Sequence, residues 1–139
     1  MQNASIRLLP ADTSLAEPLL DYYRRNREFL RPFEPSRSED FFTLASQREA
    51  LKREMAQRAE RSGFRFYIAS AGAPEKIIGA IGLNNVVWGA FRSAFLGYKL
   101  DAAYVGRGYM TMAVGMVVGY AFAKLELHRV EANVMPRNL

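Results

Sequence analysis

The sequence predicts one mixed α/β domain in the order β-α-α-β-β-β-α-β. Three observations carry that prediction. Two stretches of the first half have the residue patterns of helices, the first a clear apolar repeat at helical spacing. The middle alternates aromatic and β-branched runs with short turns, as a meander does. A glycine-bearing turn then opens a long apolar helix, followed by a last strand. The 139 residues are enough for one domain around a single core, and no repeat or linker divides them.

Ser5 to Leu9 has the alternation of a short strand, stopped by Pro10. Ser14-Leu15-Ala16-Glu17 has capping-box spacing, a hydroxyl for an orphan amide and a carboxylate reaching back. Behind it Leu15, Leu19, Tyr22, Tyr23, Asn26 and Leu30 recur at helical spacing, with Asn26 the one polar member. Pro32 and Pro35 end this helix and open a loop from Arg31 to Phe42. A second helix runs from Thr43 to Arg61 with Leu44, Leu51 and Met55 as a sparse apolar stripe, and Ser62-Gly63 stops it. Phe64 to Ser70 is a strand, Ala71 to Pro74 a turn, and Lys76 to Trp88 a longer strand whose Gly79 and Gly82 suggest a bulge or bend. Gly89-Ala90 leads into a third strand of the meander, Ser93 to Leu100. After the turn Tyr104 to Tyr109, a helix reaches about Lys124, with Met110, Ala113, Val114, Val117, Val118, Ala121, Phe122 and Leu125 on one wide apolar face. His128 to Val134 is the last strand, closed by Met135-Pro136.

Composition removes whole classes of chemistry. Half the residues are hydrophobic and 12% aromatic, which excludes a disordered or collagen-like chain. There is no Cys, hence no disulfide scaffold, cysteine nucleophile or thiolate metal site, and the single His128 precludes a multi-histidine site. No metal is therefore expected. The net charge is +5, and 15 of the 19 basic residues are Arg, whose planar fork suits phosphate or carboxylate oxygens. A basic, solvated surface explains the same charge, and its even spread weakens the case for a nucleic-acid arm. Met1 to Pro10 lacks the pattern of a signal peptide. The longest apolar run, Met112 to Ala123, is interrupted by Gly115 and Gly119 and falls short of the roughly 20 residues needed to span a bilayer. A soluble, cytoplasmic protein is expected, with no membrane partner. Gly115 and Gly119 are expected to pack closely on the sheet.

The segment Val105-Gly106-Arg107-Gly108-Tyr109-Met110-Thr111 is the most informative. A helix N-terminus offers unpaired N–H groups and about half a unit of positive charge, and glycines let backbone approach an anion. Strand–Gly-x-Gly–helix therefore fits a phosphate cradle, and equally a tight turn that needs glycine for its angles. A P-loop is excluded because Gly108 is followed by Tyr109-Met110 instead of Lys-Ser/Thr. A Rossmann fingerprint lacks its third glycine, and a meander precedes the motif in place of a βαβ unit.

Leu96 to Leu100, Gly106 to Thr111, Tyr120-Ala121-Phe122, and Leu127 to Asn133 through Pro136-Arg137-Asn138 resemble the GNAT acetyltransferase superfamily. Asp21-Tyr22-Tyr23 through Asn26 to Pro35, and Asn85 to Phe91, resemble its RimJ/RimL branch, the ribosomal-protein alanine N-acetyltransferases. The resemblance implies the GNAT acyl-CoA N-acyltransferase fold. It implies an enzyme that transfers acetyl directly from acetyl-CoA to a protein N-terminal amine, by likeness the N-terminal alanine of a ribosomal protein. Gly106, Arg107, Gly108, Tyr109, Met110 and Thr111 would hold the acetyl-CoA pyrophosphate, Tyr98, Lys99 and Leu100 the pantetheine arm, and Asn138 the cofactor's edge. Val105 and Met110 depart from the family's usual residues, which is tolerable where only backbone amides meet phosphate.

The amine must lose a proton, the oxyanion needs a donor, and the leaving thiolate needs an acid. Asn133 stands where some relatives carry a catalytic Glu; an amide cannot take up a proton but can position water or the amine. Glu34 is a candidate acidic group near the amine, or an ordinary loop carboxylate, and Glu131 shares a strand face with Asn133. His128 fits a structural role or an acid/base one, and Trp88 and Phe91 either line an acceptor groove or pack. A small-molecule amine acetyltransferase, or a non-catalytic GNAT-like module docking on ribosome or RNA, are the alternative readings. The resemblance also implies that the family's C-terminal helix and strands are absent, leaving a sheet edge and part of the last helix exposed. The chain would then be a fragment or be completed by a partner chain, such as a homodimer mate.

Overall fold

The computed structural model describes residues 1–33 and 37–132. Its strands are β1 (Ile6–Pro10), β2 (Phe64–Ser70), β3 (Ala73–Val87), β4 (Ser93–Leu100) and β5 (Arg129–Ala132). Its α-helices are α1 (Ala16–Arg25), α2 (Arg27–Leu30), α3 (Leu44–Glu60) and α4 (Tyr109–Ala123). Among the described residues the strands form one sheet in the order β1-β2-β3-β4-β5. The first four are antiparallel and β5 runs parallel to β4, so the expected mixed sheet and meander are present.

Two apolar clusters divide the interior. On one face of the sheet Ile6, Leu8, Phe64, Phe66, Ile68, Ile78, Ile81, Leu83, Ala94 and Leu96 pack against Ala113, Val117 and Ala121 of α4. On the other, Tyr67, Ile77 and Ala80 pack under Leu19, Tyr22, Tyr23 and Leu51 of α1 and α3. β3 serves both because its side chains alternate, and a bulge resets the phase. Ile68 pairs with Gly79 but Ala69 pairs with Ile77, so one residue is inserted and Ile78 enters the α4 cluster although Ala80, two residues on, enters the other. A Cβ at Gly79 would lie 2.6 Å from the Lys99 carbonyl, which is why the bulge is flanked by glycine.

Several boundaries differ from expectation. Asp12, not Ser14, caps the first helical turn, accepting from the Ser14 N–H at 2.9 Å and leading a short 3₁₀ turn, Thr13–Leu15. The first helix breaks at Asn26 instead of running to Leu30. The span from Arg31 to Phe42 contains 3₁₀ turns at Arg31–Phe33 and Glu39–Phe42. β1 takes in Pro10, and β3 begins at Ala73, because Pro tolerates the end of an edge strand or the start of a strand. Gly115 and Gly119 do not pack on the sheet: a Cβ at either would meet nothing within 4 Å. Only Ala113, Val117 and Ala121 of α4 are fully buried, and Phe122 is 46% exposed. No described helix is long and apolar enough to cross a membrane.

Candidate active site

β4 delivers the chain to the site. β5 pairs with its first half, the last described pair being Leu96 with Ala132, and Gly97, Tyr98, Lys99 and Leu100 continue beyond. On the other side these four residues pair with Gly82 to Gly79 of β3. Side chains alternate, so Tyr98 joins the cluster under α4 while Lys99 faces α1 and donates to the Tyr23 hydroxyl, with its ammonium 4.5 Å from that ring's centre.

Asp101 turns the chain and holds it. Its carboxylate accepts from the Ala103 N–H at 2.9 Å and pairs with Arg25 of α1, while its own N–H donates to the Ile78 carbonyl. Burial opposes charge on both partners, yet the hydrogen bonds prevail. The Asp101 pKa is lowered, chiefly by the Ala103 N–H and then Arg25, and the Arg25 pKa is raised by Asp21 and Asp101. Arg25 also donates to the Ile77 carbonyl at 2.8 Å, and Asn26 accepts from the Ala102 N–H at 2.9 Å. The loop before α4 is thus bound to α1 and to the bulge in β3.

Beyond this anchor the backbone opens outward. Gly106 and Gly108 have φ of +81° and +80°, and a Cβ at either would meet nothing within 4 Å. Gly108 leads α4 with no side chain capping it, so the first amides of the helix lack a side-chain acceptor. Arg107 is exposed and stacks 5.4 Å from the Tyr104 ring, which packs edge-on against Tyr109. A helix N-terminus without a side-chain cap and an exposed guanidinium on an anchored glycine loop have the chemistry that suits a diphosphate-type anion.

A family model described as an acetyltransferase (GNAT) domain matches residues 5–139. The chain belongs to the GNAT acetyltransferase family. It is 38% identical over 141 residues to the probable N-acetyltransferase YjcK of Bacillus subtilis, covering all of this chain and 76% of that one. It is 36% identical over 121 residues to the ribosomal protein uS5-alanine N-acetyltransferase of Escherichia coli, covering 86% of this chain and 61% of that one. Among solved structures, the ribosomal-protein-S5-alanine acetyltransferase of Vibrio fischeri superposes with a TM-score of 0.87 at 32% identity over 99% of this chain and 74% of that one. Mycobacterium smegmatis RimJ in complex with CoA-disulfide superposes with a TM-score of 0.85 at 25% identity, covering 96% and 68%. The five-stranded mixed sheet agrees with the GNAT fold.

Tyr98 to Leu100 and Gly106 to Thr111 thus occupy one continuous strand–loop–helix segment of this GNAT domain. Glu34, Asn133 and Asn138 lie outside the described residues. Glu131 is on β5 and ion-paired with Arg129. His128 is exposed, and its N–H donates to the Arg92 carbonyl at 2.7 Å. Trp88 packs: its indole N–H donates to the Arg61 carbonyl at 2.7 Å, with the Arg61 and Arg92 guanidinia 4.2 and 5.3 Å from its ring. Phe91 is 76% exposed. Sequence reasoning missed the Asn26, Arg25 and Asp101 anchor. Asn26 did carry a signal, as the lone polar residue of an apolar stripe.

Proposed function

We propose that this chain performs acetyl-CoA-dependent N-acetyl transfer to a protein N-terminal amine, with the N-terminal alanine of a ribosomal protein as the favoured acceptor. The observation that carries the reading is the glycine loop, Gly106 to Gly108, at the uncapped start of α4 and anchored through Asp101 beside the end of β4. Gly106, Arg107, Gly108, Tyr109, Met110 and Thr111 hold the pyrophosphate. Tyr98, Lys99 and Leu100 align the pantetheine arm along β4, and Asn138 meets the cofactor's edge. The substrate supplies an activated thioester, and the chain's task is to orient it and to receive the amine. Asn133 positions the amine or a water, and Glu34 is the acidic group beside it. Support comes from the uS5-alanine N-acetyltransferase similarity and from the CoA-bound RimJ superposition.

The test is calorimetric titration with acetyl-CoA, followed by mass spectrometry of an N-terminal Ala peptide incubated with both. Binding with a gain of one acetyl on the α-amine supports the reading. Absence of acetyl-CoA binding overturns it, and acetylation of polyamines or free amines in place of the peptide reassigns the acceptor.

A further inference from the structure

On the sheet face under α1 and α3, Arg65 of β2 pairs with Gly82 of β3, and Gly82 pairs with Gly97 of β4. Strand alternation places all three on the face of Tyr67 and Ala80, opposite the cluster under α4. The two adjacent glycines of this cross-strand row carry no side chains of their own, and the Asn84 amide lies over Gly97, its Nδ2 3.2 Å from where a Cβ would sit. The row ends at Gly97, the residue after the last described β4–β5 pair.

Arg65 lies over this floor. A Cβ at Gly82 would come within 3.3 Å of its Cδ, so the stem of Arg65 occupies the space that a side chain there would fill. Among the described residues the buried Nε has no hydrogen-bond partner and the guanidinium makes no ion pair, its one side-chain hydrogen bond being with Tyr67. It lies 5.6 Å from the Tyr67 ring. Glu54 of α3 acts on it through space, but the Oε1 of Glu54 accepts from the Tyr67 hydroxyl at 2.6 Å. Lys99 and Tyr23 border the next row. A guanidinium stays charged at every working pH, and burying its N–H without an acceptor is costly. Such a group suits an anionic ligand that completes its hydrogen bonds.

We infer that Arg65 is a specificity-determining residue that binds a carboxylate of the acceptor, selecting amines that carry an acidic group close to the N-terminus. The inference rests on the acetyltransferase reading above and names the acceptor class for that site. Arg65, over Gly82 in the row that ends where β4–β5 pairing stops, reads the acceptor's anion.

Two measurements test it on the full chain. In the first, the Arg side-chain Nε–Hε signals are followed by NMR during titration with N-acetyl-Ala-Asp amide or N-acetyl-Ala-Asn amide, with Arg65→Lys assigning the Arg65 signal. The Asp peptide is expected to shift the Arg65 signal downfield with at least about tenfold tighter binding than the Asn peptide. Equal binding or an unmoved Arg65 signal overturns the inference. In the second, kcat/KM is compared for Ala-Asp and Ala-Asn peptides of otherwise identical sequence. The wild type is expected to prefer the acidic peptide at least about tenfold, with Arg65→Met bringing the ratio to about one and Arg65→Lys keeping part of it. A preference retained by Arg65→Met overturns it. Acetyl-CoA binding separates the two readings: its absence removes the acetyltransferase reading, whereas normal binding with no preference between peptides removes only this one.

Discussion

The Oδ1 of Asn26 accepts the backbone N–H of Ala102 at 2.9 Å, while its Nδ2 donates to the Tyr22 carbonyl at 2.9 Å. Asn26 is 1% exposed and sits where α1 breaks into α2. One buried amide therefore closes a helix end and fixes the start of the cradle loop, 76 residues further along the chain. No apolar residue of similar size can do both.

Asn26→Leu should leave the Ala102 N–H without its acceptor, at a stability cost of about 1–3 kcal/mol. Because the loop is released while its amides remain, the KM for acetyl-CoA should rise more than kcat falls. Thermal melts and steady-state kinetics check both parts, and an unchanged KM would show that the loop holds without this bond.

The Arg25–Asp101 pair makes an acid-side prediction. The folded pKa of Asp101 is lowered, so its contribution to stability is fully present above its unfolded value, about 3.9, and is lost as the pH falls through the folded value. Wild type should lose stability between about pH 4 and lower pH more steeply than Asp101→Asn, as read by urea melts at several pH values. At neutral pH, Asp101→Ala should cost about 3 kcal/mol by leaving the half-buried Arg25 without its partner.

The glycines of this domain should respond oppositely to alanine. Gly115→Ala and Gly119→Ala place a methyl in open space on a helix and should stabilise by about 0.5–1 kcal/mol each. Gly108→Ala forces an L residue to φ near +80° and should destabilise by about 1–2 kcal/mol while weakening acetyl-CoA binding. Gly79→Ala should be the most damaging, since its methyl meets the Lys99 carbonyl, which is backbone and cannot swing aside. Chemical denaturation of the four variants gives the order directly.

Trp88→Phe removes the hydrogen bond to the Arg61 carbonyl at the left-handed end of α3 and should cost about 1 kcal/mol. Acetyl-CoA affinity should not change, because Trp88 braces α3 against the β3–β4 hairpin. A loss of affinity larger than the loss of stability would place Trp88 in the site instead.

The strands and the glycine loop were legible because their signals are local. Phe64–Ser70 and Ser93–Leu100 form strands at the expected boundaries, since alternation and flanking turns lie within the segments themselves. Gly106 and Gly108 have the positive φ that their turn requires. The Ser14 capping box failed because Asp12, two residues earlier, competes for the Ser14 N–H, and spacing alone does not rank such competitors. The apolar pattern of α4 suggested one broad buried face, yet a pattern does not show which part of a uniformly apolar helix meets the sheet.

By itself the sequence determined the order of the strands and of the long helices, the mixed sheet, the family and the loop proposed to hold the pyrophosphate, each signalled by short contiguous segments. Only the tertiary structure decided that Asn26 and Asp101 anchor that loop, that a bulge at Ile78 shifts the phase of β3 between the two clusters, and that Arg65 lies across Gly82 without an ionic partner among the described residues. Each of these depends on groups brought together by register and layer packing across tens of residues. Hydrogen-bond satisfaction is a property of those neighbours, and no periodicity in the chain encodes it.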